Sequence, residues 1–119
     1  MGTSIHLQVT GFVGSDPQVK TVGEQQVASF SVAVSRKNRA GEKQTLWIRV
    51  NAWSKLADVA AQYIRKGSLV QIYGEWLRPS AWVDQTGTPQ ASLDVDASRL
   101  VLLDRLDNGD AESGDDIAF

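Results

Sequence analysis

The chain has 119 residues, 42% hydrophobic and 22% charged, enough for one domain with a modest core and too few for a second full one. It contains no cysteine, which excludes disulfides, thiolate metal sites and cysteine nucleophiles and fits an intracellular setting. The net charge of −2 is uneven: residues 1 to 103 hold 11 Lys and Arg against 8 Asp and Glu, whereas residues 104 to 119 hold one Arg against six acidic residues.

Alternation at Ile5, Leu7 and Val9 predicts a first strand, and the two glycines of GFVGSDP allow a bulge or sharp bend before Pro17. Ala28, Phe30, Val32 and Val34 alternate with Ser29, Ser31 and Ala33, which predicts strand two. The polar, basic SRKNRAGEKQ then reads as an exposed hairpin loop. It leads into TLWIRVNAW, residues 45 to 53, as strand three. There Leu46, Ile48, Val50 and Ala52 form a core face, and Trp47, Arg49, Asn51 and Trp53 form the opposite face.

Residues 54 to 67, SKLADVAAQYIRKG, change period. Leu56, Val59, Ala60, Tyr63 and Ile64 fall on one helical stripe, with Ser54 as N-cap, Arg65 and Lys66 suited to the negative C-terminal end, and Gly67 as a left-handed stop. Alternation resumes over residues 69 to 74, with Val70 and Ile72 opposite Gln71 and Tyr73. RPSAWVDQTGTPQ reads as a second hairpin turning at Asp84, Gly87 and Pro89, before a last strand in which Leu93, Val95 and Ala97 alternate with Asp94 and Asp96.

Three strands, one helix and two strands predict an all-β, five-stranded OB-fold barrel over residues 1 to 103, with the helix between strands three and four. From Asp104 to Phe119 the chain is acidic and too poor in large apolar residues to fold, which predicts a disordered tail. The body is mildly basic, so the acidic total is no argument against an anionic ligand. The N-terminus lacks a signal-peptide pattern and no apolar run nears the ~18 residues of a membrane span, so a soluble, untargeted chain without membrane association is expected.

Enzymatic chemistry finds no support in the residues. No nucleophile elbow, phosphate-binding glycine loop or zinc-ligand spacing is present, and the single histidine, His6, reads as a partly exposed strand residue or a subunit contact. The pairs Asp94/Asp96 and Asp115/Asp116 lie on a polar strand face and in the tail, without the burial that tunes a catalytic acid. A protein that is not an enzyme and carries no cofactor or metal is expected.

Single-stranded nucleic acid presents unstacked bases and a phosphate at every step, so its binder needs aromatic faces interleaved with cations. Trp47, Arg49 and Trp53 supply both, and the six steps from Trp47 to Trp53 span ~20 Å, enough for each to take a different nucleotide. Arg36, Lys37, Arg39, Lys43, Lys55, Arg65, Lys66 and Arg78 fall in loops or at element ends, where they would track phosphates. Trp82 sits in a basic hairpin and is equally open to stacking and to packing, whereas Trp76 reads as a packing residue. Two rival readings are an RNA-preferring OB module and a protein-interaction adaptor whose exposed tryptophans form a docking patch.

In this order, GFVGSDP, TLWIRV, KLADVAAQYIRKGS and AWVDQTG, together with the C-terminal DDIAF, resemble the bacterial-type single-stranded DNA-binding protein family. Members of that family end in Asp-Asp-Ile-Pro-Phe. The resemblance implies sequence-independent binding and protection of single-stranded DNA during replication, recombination and repair. It implies that Trp47, Trp53 and Trp82 stack bases, that Arg49, Lys55, Lys66 and Arg78 contact the backbone, and that a homotetramer wraps the DNA. It further implies that the tip, Asp115, Asp116, Ile117, Ala118 and Phe119, docks replication, recombination and repair enzymes. The terminal phenylalanine's ring and free carboxylate suit an apolar pocket rimmed by Arg or Lys. The setting implied is the bacterial cytoplasm, in association with the nucleoid, with an organelle as the alternative.

Three departures carry expectations of their own. Where relatives have another stacking tryptophan after strand two, this chain has Arg36, Lys37, Asn38 and Arg39, which implies purely electrostatic contact there. Ile48 stands where a histidine near the subunit contact often follows the strand-three tryptophan. Ala118 replaces the tip's proline, which lowers the entropy lost on docking, so weaker partner affinity is expected.

Overall fold

In the computed structural model, which describes residues 2–103 and 117–118, five strands close into a barrel around their alternating apolar positions. Leu7–Val13 (β1) runs antiparallel to Leu69–Val83 (β5), and β5 runs antiparallel to Pro89–Leu102 (β6). β6 lies parallel to Lys43–Trp53 (β4), β4 is antiparallel to Gln25–Lys37 (β3), and β3 returns to β1 through Phe12↔Ala33 and Val13↔Val32. Closure pairs the ladder groups that an open sheet would leave at its edges. Lys55–Tyr63 (α1) connects β4 to β5 and presses Ala57 and Ala60 into the core formed by Phe30, Val32, Val50, Ile72, Val95 and Leu100. This is the OB-fold expected from the order of elements.

The strands differ from their sequence-based outlines in ways that shape the surface. β1 begins at Leu7, and Ile5 stands exposed ahead of it. Gln18–Val22 (β2) is a further strand, hairpinned to β3 through a turn at Gly23, whose φ of 62° suits glycine. All five of its residues are exposed, so no buried stripe marks it in the sequence. Leu46, expected in the core, is exposed because β3 and β4 run past the barrel rim as an arm; it borders an apolar hollow with Pro79, Ala81 and Leu93.

The helix is shorter than its pattern. Ser54 makes no side-chain cap and has φ 58°, α1 ends at Tyr63, which is exposed, and Gly67 at φ 94° serves the following turn by donating its N–H to the Val13 carbonyl at 2.7 Å. Arg65 does serve the helix end, since its Nη1 donates to the carbonyls of Ala61 and Ile64 at 2.8 and 2.7 Å.

β5 and β6 shift register around Gly74 and Leu77. A side chain at Gly74 would meet Val95 Cγ1 at 2.7 Å, so the strands approach there as only glycine allows. The bulge turns Trp76 outward, 56% exposed, rather than into the packing role its sequence context suggests. Beyond Asp96 β6 has left β4, and this free edge pairs with Ile117–Ala118 (β7) through Leu102↔Ile117 and Val101↔Ala118. Two residues of the expected tail thus join the sheet, while the rest of that tail, including Asp115, Asp116 and Phe119, lies outside the described residues.

Candidate nucleic-acid interface

Cross-strand register builds one exterior ridge along β3 and β4. From the hairpin inward its rows are Lys37/Lys43, Ser35/Thr45, Ala33/Trp47, Ser31/Arg49 and Ser29/Asn51, ending at Val27/Trp53, where Val27 is already buried. Opposite residues of an antiparallel pair share a face, so the alternation in TLWIRVNAW becomes a line of aromatic, cationic and small polar side chains. Ser35 and Thr45 hydroxyls lie 3.0 Å apart, and Ser29 Oγ donates to Asn51 Oδ1 at 2.8 Å. Trp47 is 49% exposed, and its ring lies over Gly14, where a methyl group would come within 2.5 Å of Cζ3.

The parallel pairing of β4 with β6 sets Asp94 beside Arg49 and Asp96 beside Asn51, and β5 adds Arg78, Ser80 and Trp82 along the same exterior. Trp82, also 49% exposed, meets Arg49, Ser29, Ser31 and Ser92 around a shallow hollow of about 280 Å³. The structure therefore brings Trp82 of β5 to Trp47 and Arg49 of β4, with Trp53 half-buried at the far end of the ridge. In Trp53's row lies Lys20, opposite Val27 on β2. This cation escapes a reading that does not place β2 as a strand, and the fully exposed β2 carries no buried stripe by which the sequence could have placed it.

The remaining cations divide. Lys37 and Lys43 face each other across the β3–β4 ladder, a like-charge pair that an anion between them would relieve. Arg36 pairs with Gln44 on the opposite face, and Arg39 lies in the turn, which Asn38 holds by accepting the N–H groups of Ala40 and Glu42, both at 2.9 Å. Lys55 opens α1 next to the Trp53 end, and the Lys66 N–H donates to Asp16 Oδ1 at 2.8 Å, fixing its turn against the end of β1. Arg65 caps α1 as described.

Among the described residues, Arg78 is the one expected phosphate contact held by an acid: its Nη1 lies 3.3 Å from Asp96 Oδ2. Asp96 Oδ1 is buried without a hydrogen-bond partner. An exposed pair of this kind contributes little to stability, at most about 1 kcal/mol. Asp96→Asn is therefore expected to leave the fold intact and to release Arg78, raising oligo-dT affinity by up to about fivefold and steepening the log–log salt slope by about 0.7. Titrations across a salt series check this, and an unchanged slope would remove Arg78 from the interface.

The hairpin that carries Trp82 is organised by Asp84. Its carboxylate accepts from the Thr86 hydroxyl at 2.6 Å, the Thr88 N–H at 3.0 Å, Gln90 Nε2 at 3.0 Å and the Thr86 N–H at 2.9 Å. These bonds, led by the Thr86 hydroxyl, hold its pKa down from the ordinary 3.8 to about 2. A depressed carboxylate pKa stabilises the turn fully above the ordinary value, and the effect is lost as pH falls through the folded one. The amide shifts of Thr86 and Thr88 are thus expected to stay constant from neutral pH to about 4 and to move between about 4 and 2. Asp84→Ala should reproduce the low-pH shifts at neutral pH; if it leaves them unchanged, another group holds the turn.

A closed five-stranded barrel with one helix between β4 and β5, bearing aromatic and basic side chains along one exterior ridge, defines an OB-fold domain. Residues 5–103 match the Single-strand binding protein family, and the chain belongs to that family. It is similar to Single-stranded DNA-binding protein 1 of Synechocystis sp., with 35% identity over 111 residues covering 91% of this chain and 89% of that protein. It is similar also to Single-stranded DNA-binding protein 1 of Chlorobaculum tepidum, with 33% identity covering 90% of this chain and 69% of that one. Among solved structures it superposes with "Plasmodium falciparum SSB complex with ssDNA" at a TM-score of 0.67 and 25% identity, covering 87% of this chain and 97% of that one.

Proposed function

We propose that this chain binds and protects single-stranded DNA without sequence preference. The observation that carries the reading is the ridge itself, in which Trp47, Arg49 and Trp82 meet on one exposed surface floored by serines. Flat rings take bases of any identity, cations take phosphates, and small floor residues leave the rings accessible. Trp53, Lys20, Lys37, Lys43, Lys55 and Lys66 extend the same track, and four copies of the barrel assembled as a homotetramer would give the strand a longer path. Replication, recombination and repair are the processes that expose such a strand, and the bacterial cytoplasm is the setting that family membership favours.

The test is tryptophan emission during titration with oligo-dT, with oligo-U and duplex DNA of equal length as controls, at two salt concentrations. Stacking quenches emission directly and phosphate contacts make affinity fall with salt. Quenching by oligo-dT above both controls is expected. Stronger quenching by oligo-U would make this an RNA-binding module, and no quenching by any of them would make the ridge a protein-docking patch.

In the same reading the body, residues 1 to 103, holds DNA and the acidic segment, residues 104 to 119, recruits partner enzymes through its tip. Deleting residues 115 to 119 is expected to leave oligo-dT affinity intact or raised, because it removes negative charge, and to abolish partner pull-down. Pull-down retained by the truncated protein would remove the docking role.

A further inference from the structure

We infer that Phe12 is a further base-stacking platform, continuing the aromatic line from Trp47 across β1. The inference rests on the single-stranded DNA reading and adds a contact outside the tryptophans and cations assigned above. Phe12 is 58% exposed on a strand whose alternate residues, Val9, Gly11 and Val13, are buried. A lone exposed phenylalanine needs no explanation. Its row supplies one: Phe12 pairs with Ala33, and Ala33 pairs on its other side with Trp47.

Two strand spacings separate the backbones of Phe12 and Trp47, about 10 Å. The Trp47 indole leans toward β1, lying over Gly14 just past the strand's end, two residues along the chain from Phe12. In the row between them stands Ala33, whose side chain is a single methyl group. A shallow, small-residue floor between two exposed aromatic faces is the arrangement that lets successive unstacked bases settle on each.

A cation follows at the outer end. The Val13 N–H donates to the Ser68 carbonyl at 2.8 Å and the Gly67 N–H donates to the Val13 carbonyl at 2.7 Å, which anchors the turn bearing Lys66 beside β1. Phe12 thus lies between Trp47 and a fixed basic turn, continuing the alternation of ring and charge. It also supplies an aromatic close to the ridge in a chain whose β3–β4 hairpin, Arg36 to Lys43, has none.

The experiment compares wild type, Phe12→Ala, Phe12→Leu, Phe12→Tyr and Trp47→Ala in binding labelled oligo-dT, with thermal melting and sedimentation of each protein. Phe12→Ala is expected to weaken binding about 5- to 10-fold at fixed salt, the lower range for one base–aromatic stack, with an unchanged salt slope. Phe12→Leu, apolar without a flat face, should remain weak, and Phe12→Tyr should restore affinity. Melting and sedimentation should match wild type throughout.

Affinity unchanged in Phe12→Ala while Trp47→Ala is impaired would overturn this inference and leave the single-stranded DNA reading standing. A changed sedimentation coefficient in Phe12→Ala would overturn it too, by making Phe12 a contact between subunits. Failure of the wild-type protein to bind oligo-dT would overturn both.

Discussion

Trp47→Ala is expected to weaken oligo-dT binding by about 1–3 kcal/mol, roughly 5- to 150-fold, while the protein melts as wild type does. The two halves of this result have separate causes. Half of the indole faces solvent and the rest lies over Gly14 beside Ser31, outside the core cluster, so its removal opens no core cavity. What is lost is a flat apolar face in the middle of the ridge, between the Lys37/Lys43 row and Arg49. No charge is removed, so the salt dependence should keep its slope while the whole line shifts to weaker affinity. Anisotropy of a labelled oligomer over several salt concentrations measures both quantities. Unchanged affinity would mean that the ring covers Gly14 for structural reasons alone, and the single-stranded DNA reading would lose its central contact.

Ile72→Ala is expected to show the reverse profile. Ile72 is fully buried inside the barrel, with Val9 of β1 on one side and Leu100 of β6 on the other. Truncation there removes transfer free energy and leaves a cavity that three strands cannot collapse to fill, a cost of about 2–5 kcal/mol. Against the 5–15 kcal/mol typical of a small domain, that lowers the melting temperature by roughly 10 °C or more. The urea midpoint should fall with its slope unchanged, because the unfolded chain exposes nearly the same surface. Below its melting temperature the variant should bind oligo-dT as wild type does, since Ile72 points into the core whereas Trp47, Arg49 and Trp82 face outward. A melting temperature within a degree or two of wild type would mean that the core around Ile72 is loosely packed.

The contrast between these variants follows from how a barrel divides its residues. One alternation sends Ile72 inward and the other sends Trp47 outward. Stability and binding are therefore carried by different side chains of the same strands. Gly11 and Gly74 are the exceptions, where the strands come close enough that a side chain would strike Val32 Cγ1 at 2.8 Å or Val95 Cγ1 at 2.7 Å.

Much of this was legible in the sequence because it depends on geometry along one stretch of chain. The period of two over Ala28, Phe30 and Val32 fixes which side of β3 is buried, whatever lies beside it. The same rule sets Trp47, Arg49, Asn51 and Trp53 on one face, and the change of period after Ser54 marks α1. Elements without a buried stripe, such as β2, leave no such mark, and Leu46 shows that a correct face does not guarantee burial once the strand passes the rim.

Interstrand register belongs to the tertiary structure alone. Asp96 takes Arg78 out of the free cations, Gly14 lies beneath Trp47, Trp82 closes on Arg49, and Phe12 falls into line beyond Ala33. Each relation joins residues far apart in the chain. It is decided by where the strands slide to close the barrel and bury their apolar faces together, a choice made by packing that no local period encodes. The sequence by itself therefore determined the kinds of residue on the binding face, and barrel closure decided which of them became neighbours.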